Sequence, residues 1–156
     1  MKAATVTEIK RELSHKTDKE LVELCLRLSK FKKENKELLT YLLYEADDIH
    51  SYILNVQDEI EDAFNQIKKT SYYFIAKSMR KTLRVTKKFI RYSQNKQVEV
   101  ELLIYFCEQM RDFEPSINRS TALINLYDRQ IALIKKALAT LNEDLQYDYQ
   151  ISLDKL

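Results

Sequence analysis

TDKELVELCLRLSKFKKENKELLTYLLYEADDIHSYILNVQDEIEDAFNQIKK, residues 17–69, decides how the whole chain is read. Its apolar side chains return at Leu21, Leu24, Leu28 and Phe31, then at Leu38, Leu42, Ala46, Ile49, Ile53, Val56, Ile60, Phe64 and Ile67. Steps of three and four place such residues on one face of an α-helix. The pattern lapses only over Lys32–Lys36, where there is neither glycine nor proline. A single helix over this stretch would run roughly 75 Å at about 1.5 Å per residue, against about 40 Å across a compact globule of this chain length. Either the helix breaks near Lys33–Lys36, or the molecule is elongated. The absence of a true breaker favours the second reading.

Upstream, Thr5 with Glu8 and Thr17 with Glu20 have the spacing of capping boxes, in which a hydroxyl and a carboxylate satisfy orphan backbone N–H groups at a helix start. Between them Val6, Ile9 and Leu13 share one face of a short first helix that Ser14-His15-Lys16 ends. Downstream, Thr70-Ser71 predicts a turn, and Ile75, Met79, Leu83, Thr86 and Ile90 predict a third helix to about Tyr92. Ser93-Gln94-Asn95 offers the next turn, and a fourth helix runs from about Lys96 to Phe113, where Glu114-Pro115-Ser116 stops it. Val98–Leu102 alternates as a strand would, yet a lone strand has no partner, so helix is preferred. A last helix keeps an unbroken spacing through Ile124, Ile131, Leu138 and Leu145, the seam of a bundle or coiled coil. Tyr147, Tyr149, Ile151 and Leu153 then alternate in a tail expected to be extended or flexible. The expectation is all-α: one domain over residues 1–156, an elongated antiparallel bundle of about five helices with coiled-coil-like long helices.

Composition narrows the function. With 45% hydrophobic and 32% charged residues the chain is too apolar to be disordered. It has no glycine and one proline, Pro115. Phosphate-cradling loops and nucleophile elbows need backbone that glycine alone supplies cheaply, so nucleotide-binding loops of the usual kinds are nearly excluded. Cys25 and Cys107 read as small buried hydrophobes, not as a disulfide framework. The N-terminus lacks the apolar core of a signal peptide and no apolar run approaches the ~20 residues of a membrane span. A cytoplasmic location is expected.

Charge is segregated. From Glu37 to Ile67 there are eight acidic residues and no lysine or arginine; from Ala63 to Val98 there are ten basic residues and no acidic one. Folding the third helix back on the second would bring Glu45, Asp48, Glu59 and Asp62 near Arg80, Lys87 and Arg91. Lys77, Lys81, Arg84 and Lys88 fall nearly opposite the apolar face and should point to water, with Tyr73 beside them. That face suits an acidic partner protein, an anionic membrane surface or a phosphate backbone.

Two sequences, Glu12-x-x-His15 and Asp47-x-x-His50, resemble half-sites of a di-metal bundle centre. The helical wheel does not aim either pair inward, so no metal ligand, catalytic residue or cofactor is expected, and no small-molecule substrate. Most of the ten tyrosines fall on or beside apolar stripes, where packing with a polar tip is their usual use.

Residues 23–46, ELCLRLSKFKKENKELLTYLLYEA, resemble a segment of small uncharacterised bacterial all-helical proteins. The resemblance covers about a sixth of the chain and implies a bacterial, cytoplasmic origin with no activity to carry over. Thr5–Leu13 followed by Lys19–Leu24 is similar to the two-helix SAP module, which implies DNA binding. That module has a glycine between its helices and a short second helix, and this chain has neither. The function expected is a non-enzymatic helical interaction protein that self-associates or binds a helical partner. Its contacts would be Ile124, Ile131, Leu138 and Leu145 and the stripe of the second helix. Nucleic-acid binding through Tyr73, Lys77, Lys81, Arg84 and Lys88 is the alternative, and a metal-dependent bundle enzyme the second alternative.

Overall fold

The computed structural model describes all of residues 1–156, and it is all-helical. Eight α-helices are present: α1 (Val6–Leu13), α2 (Asp18–Phe31), α3 (Lys33–Thr40), α4 (Ile49–Asn65), α5 (Tyr72–Ser93), α6 (Lys96–Arg111), α7 (Thr121–Leu138) and α8 (Glu143–Leu153). A π-helical turn, Tyr41–Glu45, follows α3, and a 3-10 turn, Ile117–Arg119, precedes α7. Eight helices form where about five were expected, and the long second helix is divided among α2, α3 and α4. The longest helix, α5, has 22 residues, about 33 Å. The chain divides into two compact units, Met1–Tyr44 and Glu45–Leu156.

The first unit starts where the capping boxes say it should. Thr5 accepts from the Glu8 amide at 3.3 Å while its own N–H donates to Glu8 at 2.7 Å, and Thr17 and Glu20 repeat the exchange at 3.3 and 2.8 Å. Those bonds hold both carboxyls below the usual range. The long helix expected from Asp18 breaks at Lys32, whose backbone is extended (φ −140°, ψ 149°). No glycine or proline is needed, because the Asn35 side chain donates to the Leu28 carbonyl at 2.8 Å and satisfies one orphan acceptor at the end of α2. A second break at 46–48 precedes α4, where Asp48 accepts from the Ser51 amide at 3.0 Å.

The second unit is built around α6. Helices α4, α5, α7 and α8 all pack on it, and no residue from Gln97 to Met110 is exposed. Val98, Val100, Leu102, Phe106, Cys107 and Met110 are completely buried. This explains the strand-like alternation at 98–102: a helix packed by four neighbours needs apolar residues over most of its circumference, and only a narrow part-exposed strip at Gln97, Glu101, Tyr105 and Glu108 stays polar, so its periodicity fades. Phe106 meets Phe64 edge to face at 5.4 Å between centroids, and Phe64 meets Phe113 at 6.2 Å. From α7 come Leu123 and Ile134, both fully buried. Buried Gln130 donates to the Leu126 carbonyl at 2.8 Å, while its Oε1 has no partner.

Helix boundaries here follow side-chain caps. Ser71 caps α5, Asn95 caps α6, Ser120 caps α7 and Asn142 caps α8. Gln94 takes the left-handed conformation (φ 48°) between α5 and α6, the place where other chains use glycine. The expected last helix ends at Leu138, so Ile124, Ile131 and Leu138 lie on α7 and Leu145 on α8. The seam is therefore split between two helices. Only Leu138 of the four is buried, and the core face of α7 is Leu123, Gln130, Ile134, Ala137 and Leu138. The tail expected to be extended or flexible is helical through Leu153, which is itself buried. Tyrosine phenols tie the elements together, Tyr52 donating to the Phe89 carbonyl and Tyr72 to that of Ser116, both at 2.8 Å, and Tyr127 to that of Leu156 at 2.9 Å. No helix is long and apolar enough to cross a membrane.

Candidate functional site

Two surfaces stand out, one in each unit. In the first unit, helices α1–α3 contain no buried residue, and from Met1 to Tyr44 only Tyr41 is buried. The stripe read from sequence as a packing face lies open: Leu28 is 61% exposed and Phe31 77%. Leu24, Leu38, Leu42 and Leu43 are exposed as well. Cys25, Leu28, Leu38, Leu39 and Leu42 line a shallow apolar cleft of about 240 Å³ between α2 and α3. Cys25, expected to be a buried hydrophobe, is exposed here at the edge of this cleft, where α3 covers α2 only in part. Cys107 is the buried one, and burial pushes its thiol up to about 12. Along α2 Asp18, Glu20 and Glu23, with Lys19 among them, occupy the first half and Arg27 and Lys30 the second, followed by Lys32 and Lys33.

In the second unit the basic face belongs to α5. Its opposite side, Ile75, Ala76, Met79, Thr82, Leu83 and Thr86, is buried in the core, which turns the charges outward. The buried Thr86 hydroxyl is satisfied by the Thr82 carbonyl at 3.0 Å, one turn back. Of the residues singled out from sequence, Tyr73, Lys77, Lys81 and Arg84 are exposed. Lys88 is not free in water: it is half-buried and lies over the rings of Phe89 and Tyr92, at 5.0 and 5.9 Å from their centroids. Lys81 sits on the α4 side, in a groove shared with Val56, Glu59, Ile60 and Val85. Arg80 and Arg91, expected to pair with acidic residues of the preceding helix, are exposed with no carboxylate within 4 Å.

At about 100° per residue, Tyr73, Lys77, Arg80, Arg84, Lys87 and Arg91 fall within about 80° of one another. They make one straight stripe. Lys77 to Arg91 spans about 21 Å along the helix axis. Tyr73, Lys77, Arg80, Leu83, Arg84 and Lys87 line an open hollow of about 510 Å³ beside it. Lys87 is half-buried, and burial lowers its ammonium pKa against a smaller opposing pull from Glu99. The wheel placed Lys77 and Arg84 correctly in water and missed that Arg80, Lys87 and Arg91 align with them. Spacing by i+4, i+7, i+11, i+14 and i+18 from Tyr73 was the available signal.

A third cluster went unread. Tyr105 donates to Glu61 at 3.2 Å and Tyr149 donates to Glu101, around a hollow that also holds Gln57 and Glu108. Burial, reinforced by Glu61, pushes Tyr105 up to about 12, and burial with Glu101 raises Tyr149. Both phenols stay protonated and serve as donors that tie α4 and α8 to α6. Comparison of the chain with protein-family models, with curated proteins and with solved structures finds no match.

Proposed function

We propose that the chain is a non-enzymatic helical interaction protein that self-associates through its N-terminal unit. The observation that carries this reading is the apolar stripe of α2, half-buried Leu21 with exposed Leu24, Leu28 and Phe31, in a unit with Tyr41 as its one buried residue. Helices of 8 to 14 residues are marginal in water by themselves, and a unit of about 40 residues needs help from outside its own core. A second copy fits the charges. Antiparallel pairing lays the net acidic first half of one α2, with Asp18, Glu20 and Glu23, along Arg27 and Lys30 of the other, whereas parallel pairing sets like against like.

Magnitudes predict a reversible dimer. In a two-fold contact each residue counts twice. Eight such side chains, fully covered, would contribute about 12–24 kcal/mol; halving this for the cover they already have leaves about 6–12. Association costs on the order of 4–15 kcal/mol, so the balance turns on concentration. Sedimentation equilibrium over a wide concentration range is expected to show a growing dimer, and Leu24→Asp/Leu28→Asp is expected to remain monomeric with unchanged helicity. A wild-type monomer at every concentration, or a variant that dimerises as well as the parent, would refute the reading.

A further inference from the structure

The geometry points to the α5 stripe as a track for the phosphate backbone of a single-stranded nucleic acid, with Tyr73 as the platform on which a base stacks. Four observations support this. The stripe is continuous, five cations over about 21 Å, and the ten-to-none excess of basic over acidic residues between Ala63 and Val98 leaves no carboxylate on α5 itself. Lys77, Arg80, Arg84 and Arg91 have no ion-pair partner within 4 Å, so their charge is not spent inside the protein. Three of the five cations are arginines, whose planar fork binds phosphate oxygens in pairs. At the stripe's N-terminal end Tyr73 is 70% exposed and lies edge to face against Phe74, itself exposed, with ring centroids 5.3 Å apart. An aromatic ring open to solvent beside a line of cations is the arrangement that holds unpaired bases without reading their sequence.

Other polyanions fit less well. A duplex keeps its bases paired and stacked inside, so it offers the exposed Tyr73 ring no unpaired base to meet. A membrane-surface helix buries its apolar face in lipid, whereas the apolar face of α5 is already in the protein core. The hollow at Tyr73, Lys77, Arg80, Arg84 and Lys87 is open along one side, as a groove for a strand must be. This inference uses only the second unit and is independent of self-association.

Fluorescence anisotropy with a labelled oligothymidylate tests it on the full-length chain, alongside a duplex of equal length and vesicles containing phosphatidylserine. Oligothymidylate is expected to bind most tightly. Its affinity should fall with salt at a log–log slope of about −3 to −4, the value for five phosphates on a single strand. Arg80→Glu/Arg84→Glu should abolish binding, and Tyr73→Ala should weaken it by about fivefold or more. Lys135→Glu/Lys136→Glu, at the far end of α7, should change it less than about twofold and controls for net charge. All the substituted positions are exposed, and unchanged circular dichroism verifies the fold. Absence of oligothymidylate binding at low salt, duplex or vesicle binding of equal strength, or equal loss in the α7 control would each overturn the proposal. So would undiminished binding by Arg80→Glu/Arg84→Glu.

Discussion

The two units use the same helical alphabet to opposite ends. In the second, α6 is enclosed by four helices, its apolar residues reach zero exposure and its neighbours are fastened by phenol hydrogen bonds. In the first, helices with equally good caps and equally regular leucines leave those leucines in water. Periodicity therefore reports where a helix could be covered, and only the count of neighbouring helices reports whether it is. A chain of 156 residues has material for one sizeable core; here α4–α8 take it, and α1–α3 are left with a surface that suits association.

That contrast can be broken most forcefully at its centre. Phe106→Ala should cost the second unit about 3–5 kcal/mol, because its ring fills a completely buried site against Phe64; urea denaturation followed by circular dichroism measures it. A loss under 1 kcal/mol would mean that the core around α6 is loosely packed. A somewhat smaller effect is expected from alkali. Cys107 has its thiol raised from 9.0 to about 12 by burial, so the folded state keeps a proton that the unfolded chain releases. The contribution is fully present below pH 9 and is lost as pH rises from 9 to 12, on the order of 3 kcal/mol at the upper end. Tyr105, raised from 10.0 to about 12, acts in the same direction. Denaturation midpoints should therefore fall over this window, and Cys107→Ala should flatten part of the slope; an unchanged slope in that variant would place the thiol in contact with water. The smallest effect sharpens the comparison from the other side. Leu28→Ala, at a 61% exposed position, should alter the stability of the dissociated chain by less than about 0.5 kcal/mol, measured at concentrations where sedimentation shows a monomer.

Much of the helix map was legible because it is written in local chemistry. Thr5, Thr17, Ser71 and Asn95 each cap the helix that the spacing of their neighbours announced, and Glu114-Pro115-Ser116 ends α6 near where expected. What stayed hidden depends on residues distant in sequence or on a single hydrogen bond. The break at Lys32 rests on Asn35 reaching back to Leu28, which resembles ordinary helix interior when read linearly. Asn142, followed by Glu143 and Asp144, does carry a start signal for α8, but the apolar rhythm of Leu138, Leu141 and Leu145 masks it. The strand-like alternation in α6 becomes intelligible only once four neighbours are known. Among the candidate site residues, Tyr73, Lys77, Lys81 and Arg84 are in water as the wheel required, whereas Lys88 is drawn onto Phe89 and Tyr92, whose rings lie one and four positions away. Covering of α2 by α3 was not foreseen to be so slight, and Cys25 is exposed in consequence.

The enclosure of α6 constrains the protein's future as well as its shape. Between Gln97 and Met110 eight residues of this helix are buried, and the others, Gln97, Glu99, Glu101, Tyr105, Glu108 and Gln109, are only partly open to water. Drift at its buried positions is confined to swaps that conserve volume, while α5, bearing its cations on open ground, can change its exposed residues without disturbing a neighbour. The centre of this molecule is held nearly fixed, and whatever diversity its descendants acquire will be displayed on the helices around it.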